Sequence, residues 1–242
     1  GLGFTLNVGV VAEASKSKRN EIFLNNRPIN FPTITSVIRN LTEEKIRVSI
    51  KSRLPLGCGF GLSGAGALAS AYAINDLLKL KKTKKELAII SHTAEVENKT
   101  GLGDVVNQHY GGFCLKLKPS SHFEVKKIPI NNINVYCKYF SKISTKSIIT
   151  DKRLKKKINN AAGNSLNKIQ KLIKSSNKIK FKDVIKISKE FAIDSGLLKD
   201  KKTMETIKNI EKNSGNASMI MLGNAVFSNR KFKGALRFRI SS

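Results

Sequence analysis

Arg53 to Tyr72 reads R-L-P-L-G-C-G-F-G-L-S-G-A-G-A-L-A-S-A-Y, and this stretch decides the fold. Ile46-Arg47-Val48-Ser49-Ile50, just before it, alternates apolar and polar side chains, the pattern of a half-buried strand. Pro55 stops that strand, because proline has no N–H to give a ladder. Gly57, Gly59 and Gly61 open backbone conformations closed to residues with a Cβ. From Ser63 to about Lys79, Ala, Leu and Ser dominate without a proline, which predicts a helix. Strand, glycine loop and helix together place free backbone N–H groups and a helix dipole at a phosphate.

Several phosphate loops share that layout. Gly59-Phe60-Gly61-Leu62-Ser63-Gly64 is literally G-x-G-x-x-G, as in a dinucleotide site, but no acidic residue ends the next strand. Glu86 has roughly the right spacing and sits in a Lys-rich helical stretch instead. A P-loop needs Gly-Lys-Ser/Thr, whereas Ala65 follows Gly64. The His-Arg-Asp and Asp-Phe-Gly signatures of protein kinases do not occur. A closely packed Gly/Ala turn with no ligand is the bland alternative.

Working outward, residues 3–14 and 21–24 read as strands joined by a polar turn over Ser15–Asn20. Thr33 to Leu41 suits a short helix with Thr33 at its N-cap. Lys79 to Lys85 carries five lysines and reads as a solvated connector. Thr83 and Glu86 form the S/T-x-x-E pattern that opens a helix, here Lys84 to about Asn98. Gly111-Gly112 precedes three strands, 113–118, 123–130 and 134–140. Character changes near residue 145, and 151–212 is helical and lysine-rich with breaks near Ser175–Asn177 and Gly196. Residues 216–223 and 225–228 read as buried strands, and the tail Asn229–Ser242 as a basic end. The reading is α+β with a boundary near Ser144, giving domains 1–144 and 145–242.

A second constellation follows the first. His92-Thr93-Ala94-Glu95-Val96-Glu97-Asn98-Lys99-Thr100-Gly101-Leu102-Gly103-Asp104 places two glutamates on a helix, then a glycine turn, then an aspartate. Phosphoryl transfer needs a carboxylate for Mg²⁺ and a group that takes or orients the hydroxyl proton. Carboxylates flanking a tight turn supply both. The alternative is that Glu95 and Glu97 are solvated helix charges and Asp104 a helix cap.

The formal charge of +28 admits a nucleic-acid binder or a cleft for anionic substrates. The lysines are spread over most predicted helices, and aromatic residues do not interleave with the basic runs. General Lys, Asn and Ile bias accounts for the charge better than specific nucleic-acid binding. Cys58, Cys114 and Cys137 lack metal or disulfide spacing, which fits a reducing cytoplasm. No apolar run is long enough to span a bilayer and no signal peptide opens the chain, so no membrane is expected.

P-L-G-C-G-F-G-L-S-G-A resembles the P-x-G-x-G-L-G-S-S-A-A signature of the GHMP small-molecule kinases. The helix glutamate, glycine turn, aspartate and glycine pair are similar to the mevalonate- and galactokinase-like members. G-N-A-S-M stands where the family has a late G-x-G-G-G. Taken together, these motifs most resemble the archaeal pantoate kinase branch. The resemblance implies the two-domain α+β GHMP kinase fold, with a ribosomal protein S5 domain 2-like N-terminal domain and a GHMP C-terminal domain. It implies ATP and Mg²⁺ as cofactors, pantoate as the small-molecule partner, and a chain that suits a homodimer. The loop from Pro55 through Gly57, Gly59, Gly61, Leu62, Ser63, Gly64 and Ala65 would hold the ATP phosphates. Ser63 matches the family's second loop serine, and Leu62 replaces the first. Ser63 and Glu95 would hold Mg²⁺, Glu95 matching with a one-residue offset that keeps Glu97 as an alternative. Asp104 would be the base and Ser218 would lie on the substrate side. The family's first strand would precede Gly1, together with a lysine that neighbours the aspartate in some members. The end beyond Ser228 looks shortened or altered.

Overall fold

In β5 (Ile46–Ser52), Ile46, Val48 and Ile50 are buried while Arg47 and Lys51 face solvent. That period-two pattern makes β5 the middle of a sheet, ordered β2-β5-β3-β4. The computed structural model describes residues 1–119, 122–130, 132–176 and 179–241. β2 (Val10–Lys16) runs antiparallel to β5, from Val10 opposite Ser52 to Lys16 opposite Ile46. β3 (Glu21–Leu24) lies parallel on the other side, and β4 (Arg27–Pro28) closes the edge. The parallel pair is linked by a crossover through α1 (Pro32–Leu41).

The helix α1 starts earlier than its sequence suggests. Phe31 is the N-cap and Pro32 the first helical residue, where a missing N–H costs nothing. Thr33 is therefore not the cap; it lies in the first turn, fully buried. α2 (Leu62–Leu77) and α3 (Lys84–Asn98) join α1 over the sheet. Ile34, Val37, Ile38, Ile46, Val48, Ala67, Ala71 and Ile74 make the core between them. Each buried Val or Ile side chain there contributes about 1.5–3 kcal/mol. Gly66 faces this core, where an added Cβ would make ordinary contact with Phe31, Ile34 and Ile50. Thr83 and Glu86 form the expected capping box at the start of α3.

The predicted strand over 3–14 is two strands. β1 (Leu2–Phe4) leaves for a separate antiparallel sheet, β1-β6-β7, with β6 (Phe113–Leu115) and β7 (Lys126–Ile128), both shorter than read from sequence. A third sheet, β11-β8-β10-β9, is antiparallel throughout. It contains β8 (Asn134–Lys142), β9 (Ala217–Met219), β10 (Gly223–Ser228) and β11 (Leu236–Arg239). The tail is thus not a loose basic end. It forms β11 and then lies along the chain's beginning, with Leu6 bridged to Ile240 and the Ser241 N–H donating to Thr5 O.

The helical region comprises α5 (Thr145–Thr150), α6 (Lys152–Ser176), α7 (Phe181–Asp194) and α8 (Lys201–Lys212). Gly196 turns the chain after α7 at φ +71°. Of the other expected break, Asn177 lies outside the described residues. β8 ends just before residue 144, yet its partners β10 and β11 lie beyond it. The largest core cluster likewise draws on both sides of that position. Phe4 stacks on Phe113 at 5.5 Å and meets the edges of Phe181 and Phe227, each at 5.8 Å.

Candidate active site

The glycine loop leaves β5 and enters α2 with Gly57, Gly59 and Gly61 at φ +83°, +84° and +65°. Gly61 is the N-cap of α2 and carries no side chain to cap it. The first helical bond runs from Ala65 N–H to Gly61 O, 3.0 Å. The N–H groups of Leu62, Ser63 and Gly64 therefore have no acceptor within the helix and point out of its positive end. The Leu62 side chain turns away into the core. Pro55 and Ala65 bracket the loop, both partly exposed.

The other half of the loop's geometry comes from the C-terminal sheet. A Cβ on Gly59 would stand 2.6 Å from Met221 O, and one on Gly223 would stand 2.1 Å from the Cys58 carbonyl carbon and oxygen. The turn between β9 and β10 is thus pressed against the loop backbone. The Ile143 N–H donates to Gly57 O at 3.0 Å on the β8 side. Part of the glycine content serves this close approach of two backbones.

Glu95, near the end of α3, is wholly buried. Its carboxylate lies between two glycines. A Cβ on Gly101 would be 2.5 Å from Oε1, and one on Gly64 would be 3.0 Å from Oε2. Neither oxygen makes a hydrogen bond of good geometry. Burial, and then the charge of Asp104, push its pKa up to about 8, against the pull of the nearby Val105 N–H, Lys116 and Ser63 hydroxyl. Ser63 Oγ shares a 3.2 Å hydrogen bond with Thr33 Oγ1, which in turn bonds Thr100 Oγ1 at 2.9 Å. Three hydroxyls, from α1, α2 and the turn after α3, thus form a chain whose Ser63 end acts on the carboxylate.

Glu97 faces away. It is exposed and pairs with Arg39 at 3.6 Å.

Asp104 opens a helix that sequence reading missed, α4 (Asp104–Tyr110), with Gly103 as its N-cap. The aspartate is half-buried and touches the loop: a Cβ on Gly61 would lie 3.3 Å from its Cγ. Gln108, one turn further along α4, donates to Gly61 O at 2.8 Å. Burial raises the Asp104 pKa, and Lys116 opposes that rise. Lys116, just past β6, is itself half-buried and donates from Nζ to Gly103 O at 2.7 Å. Burial lowers its pKa, while the charges of Asp104, Cys114 and Glu95 resist the change.

The structure therefore gathers Ser63, Glu95, Asp104 and the loop N–H groups. It adds Lys116, Thr33, Thr100 and Gln108, which the sequence reading did not assign. A lysine ending the otherwise fully buried run Phe113-Cys114-Leu115 was the available signal for one of them. Ser218 is not among this group. It is buried on β9, where its hydroxyl donates to Ser188 Oγ at 3.1 Å. The Ile220–Gly223 turn that follows, and not Ser218, meets the glycine loop.

Among the described residues, no cluster of three or more His, Cys, Asp or Glu could hold a metal by itself. Mg²⁺ in phosphoryl-transfer sites is held by one or two protein oxygens together with the nucleotide phosphates. A buried carboxylate with two unbonded oxygens, beside a hydroxyl and below a helix N-terminus, fits that requirement. A surface concavity of about 470 Å³ lies along β3 and β4 between Arg19 and Asn30, away from these groups. Among the described residues, no helix is long and apolar enough to cross a membrane.

The family model for the N-terminal domain of GHMP kinases matches residues 32–112, which contain the loop, Glu95 and Asp104. Over 232 residues the chain is 33% identical to the pantoate kinase of Methanocaldococcus jannaschii, covering 94% of this chain and 82% of that protein. It is 28% identical over 236 residues to the pantoate kinase of Methanospirillum hungatei, covering 94% and 77%. A solved phosphotransferase related to the CoA biosynthesis pathway superposes with a TM-score of 0.78 at 26% identity, over 94% of this chain and 77% of that one.

Proposed function

The chain belongs to the GHMP kinase family, and from that premise we propose that it phosphorylates pantoate to 4-phosphopantoate with ATP, a step toward coenzyme A. The carrying observation is the buried, unbonded Glu95 carboxylate held between Gly64 and Gly101 beside Ser63, with Asp104 against the same loop. Pantoate kinases from two archaea, each aligned over 94% of this chain, support the choice of acceptor.

In this reading residues 1–144 carry the nucleotide loop and the carboxylates, and the helices and 216–228 strands of residues 145–242 close the substrate side, with the β9–β10 turn backing the glycine loop. The N–H groups at Leu62, Ser63 and Gly64, with the flanking loop backbone, bind the phosphates and fix their orientation. Ser63 and Glu95 would hold Mg²⁺, which when bound neutralises charge on the phosphate oxygens. Asp104 accepts the proton of the substrate hydroxyl as that oxygen bonds to the γ-phosphorus. The bond from the γ-phosphorus to the bridging oxygen breaks, and ADP leaves. A carboxylate raised by burial is the stronger base, and the charge of Lys116 opposes that rise. Thr33 and Thr100 orient the Ser63 hydroxyl, and Gln108 ties α4 to the loop.

The test is ADP release with pantoate, homoserine and mevalonate as acceptors, with the product identified by phosphorus NMR. Phosphorylation of pantoate in preference to the other two is the expected result. Preference for homoserine or mevalonate overturns the choice of substrate.

A further inference from the structure

We infer that Lys116 is a positioning residue for phosphoryl transfer, holding Asp104 and the turn before it in the geometry that receives the hydroxyl proton. The inference rests on the kinase reading above.

Lys116 follows three fully buried residues, Phe113, Cys114 and Leu115, on a strand paired on both sides. Its side chain reaches from β6 to the start of α4, where Nζ donates to Gly103 O at 2.7 Å. Gly103 is the residue before Asp104, so the ammonium grips the peptide that carries the base. The positive charge also faces both carboxylates, Asp104 and Glu95. His92, Cys114 and the Gly1 amine border it as well.

A half-buried ammonium is costly to desolvate unless carboxylates compensate it. Most lysines of this chain are exposed; this one is half-buried, and the charges of the two carboxylates that the reaction uses act on it. Tether and charge act together. The bond to Gly103 O fixes where the Asp104 side chain starts, and the charge favours its ionised form. After the hydroxyl proton moves to the Asp104 carboxylate, the ammonium stays as it was, so the lysine is neither consumed nor titrated in the cycle.

The two contributions can be separated by substitution. Lys116→Gln retains an N–H donor for Gly103 O and loses the charge. Lys116→Met loses both. Lys116→Arg keeps charge and donors with a different fork geometry. Folding of each is checked by circular dichroism and thermal melting. We expect kcat with pantoate to fall about 10²-fold in Lys116→Met, in the range that general-base loss produces. The KM for ATP should stay within about twofold, because the loop N–H groups are untouched. Lys116→Gln should remain low and Lys116→Arg should recover about tenfold of the loss. Parental kcat in folded Lys116→Gln and Lys116→Met overturns the role of Lys116 and leaves the kinase reading standing. A folded parent protein that phosphorylates none of pantoate, homoserine and mevalonate overturns the kinase reading, and the role of Lys116 with it.

Discussion

Glu95 folds its carboxylate directly over the Cα of Gly101, so that a β-carbon there would stand 2.5 Å from Oε1 and 2.8 Å from Cδ. The glycine after Thr100 is therefore required by the side chain six residues before it. Gly101→Ala should push Glu95 out of place. We expect about 1–3 kcal/mol of lost stability, the usual cost of overpacking, with activity that needs a higher Mg²⁺ concentration. Chemical denaturation and a Mg²⁺ titration of kcat read the two effects. Unchanged Mg²⁺ dependence in a folded variant would remove Glu95 from the metal site.

The same carboxylate gives a pH signature. Its pKa rises from an ordinary 4.5 to about 8, chiefly through burial and then through Asp104. Between those values the folded protein binds a proton at Glu95 that the unfolded chain has released. Stability without Mg²⁺ and nucleotide should therefore fall as pH rises through this window, by up to about 1.4 kcal/mol per unit from this group. Below pH 4.5 the effect is absent, and above pH 8 it is complete. Glu95→Gln should flatten the fall. Urea midpoints at several pH values measure it, and equal slopes for parent and variant would contradict the assignment.

Gly223 and Gly163 make a matched pair of tests. A Cβ on Gly223 collides with the Cys58 carbonyl at 2.1 Å, whereas nothing lies within 4 Å of one on Gly163, exposed inside α6. Gly223→Ala should displace the glycine loop and weaken ATP binding by tenfold or more. Gly163→Ala should leave ATP binding alone and stabilise the protein by about 0.5–1 kcal/mol. Calorimetric ATP titration and thermal melting decide both.

The glycine loop, the helix after it and the Thr83–Glu86 cap are readable in sequence because each rests on local chemistry. Positive φ at Gly57, Gly59 and Gly61 needs no tertiary partner to be foreseen. Glu95 and Glu97 are different. Positions two apart on a helix lie about 200° around it at 3.6 residues per turn, so one is buried and the other pairs with Arg39 in solvent. Only packing reveals which. α4 escaped notice because seven residues between two glycine pairs give too short a period to read. β11 was available in the alternation Leu236-Arg237-Phe238-Arg239-Ile240, masked by the charge of the tail. Thr33 was misplaced because a threonine before an apolar run looks like a cap, while Pro32 as first helical residue put the cap at Phe31, two residues earlier. Lys116 meets Gly103 across a strand–helix junction thirteen residues apart, a contact that no local pattern encodes.

Asp104 gives the most direct test of the chemistry. It is the first residue of α4, set against Gly61 of the glycine loop and restrained from behind by the Lys116 tether to Gly103. Asn keeps its size and its capacity to accept a hydrogen bond, and it cannot take a proton from a substrate hydroxyl. Loss of a general base costs about 10²–10⁴ in rate, or roughly 3–5 kcal/mol of barrier. The free N–H groups of Leu62, Ser63 and Gly64, proposed to bind the phosphates, remain, so ATP affinity should change by less than about twofold. Removing the Asp104 charge also relieves Glu95 of its nearest repulsion, so the pH window of stability described above should narrow in the same variant. Asp104→Asn should thus show a selective fall in kcat with pantoate, intact ATP binding and a shallower dependence of stability on pH. Parental turnover by the Asn variant would leave Asp104 as a helix-start residue only, and the proton would need another acceptor.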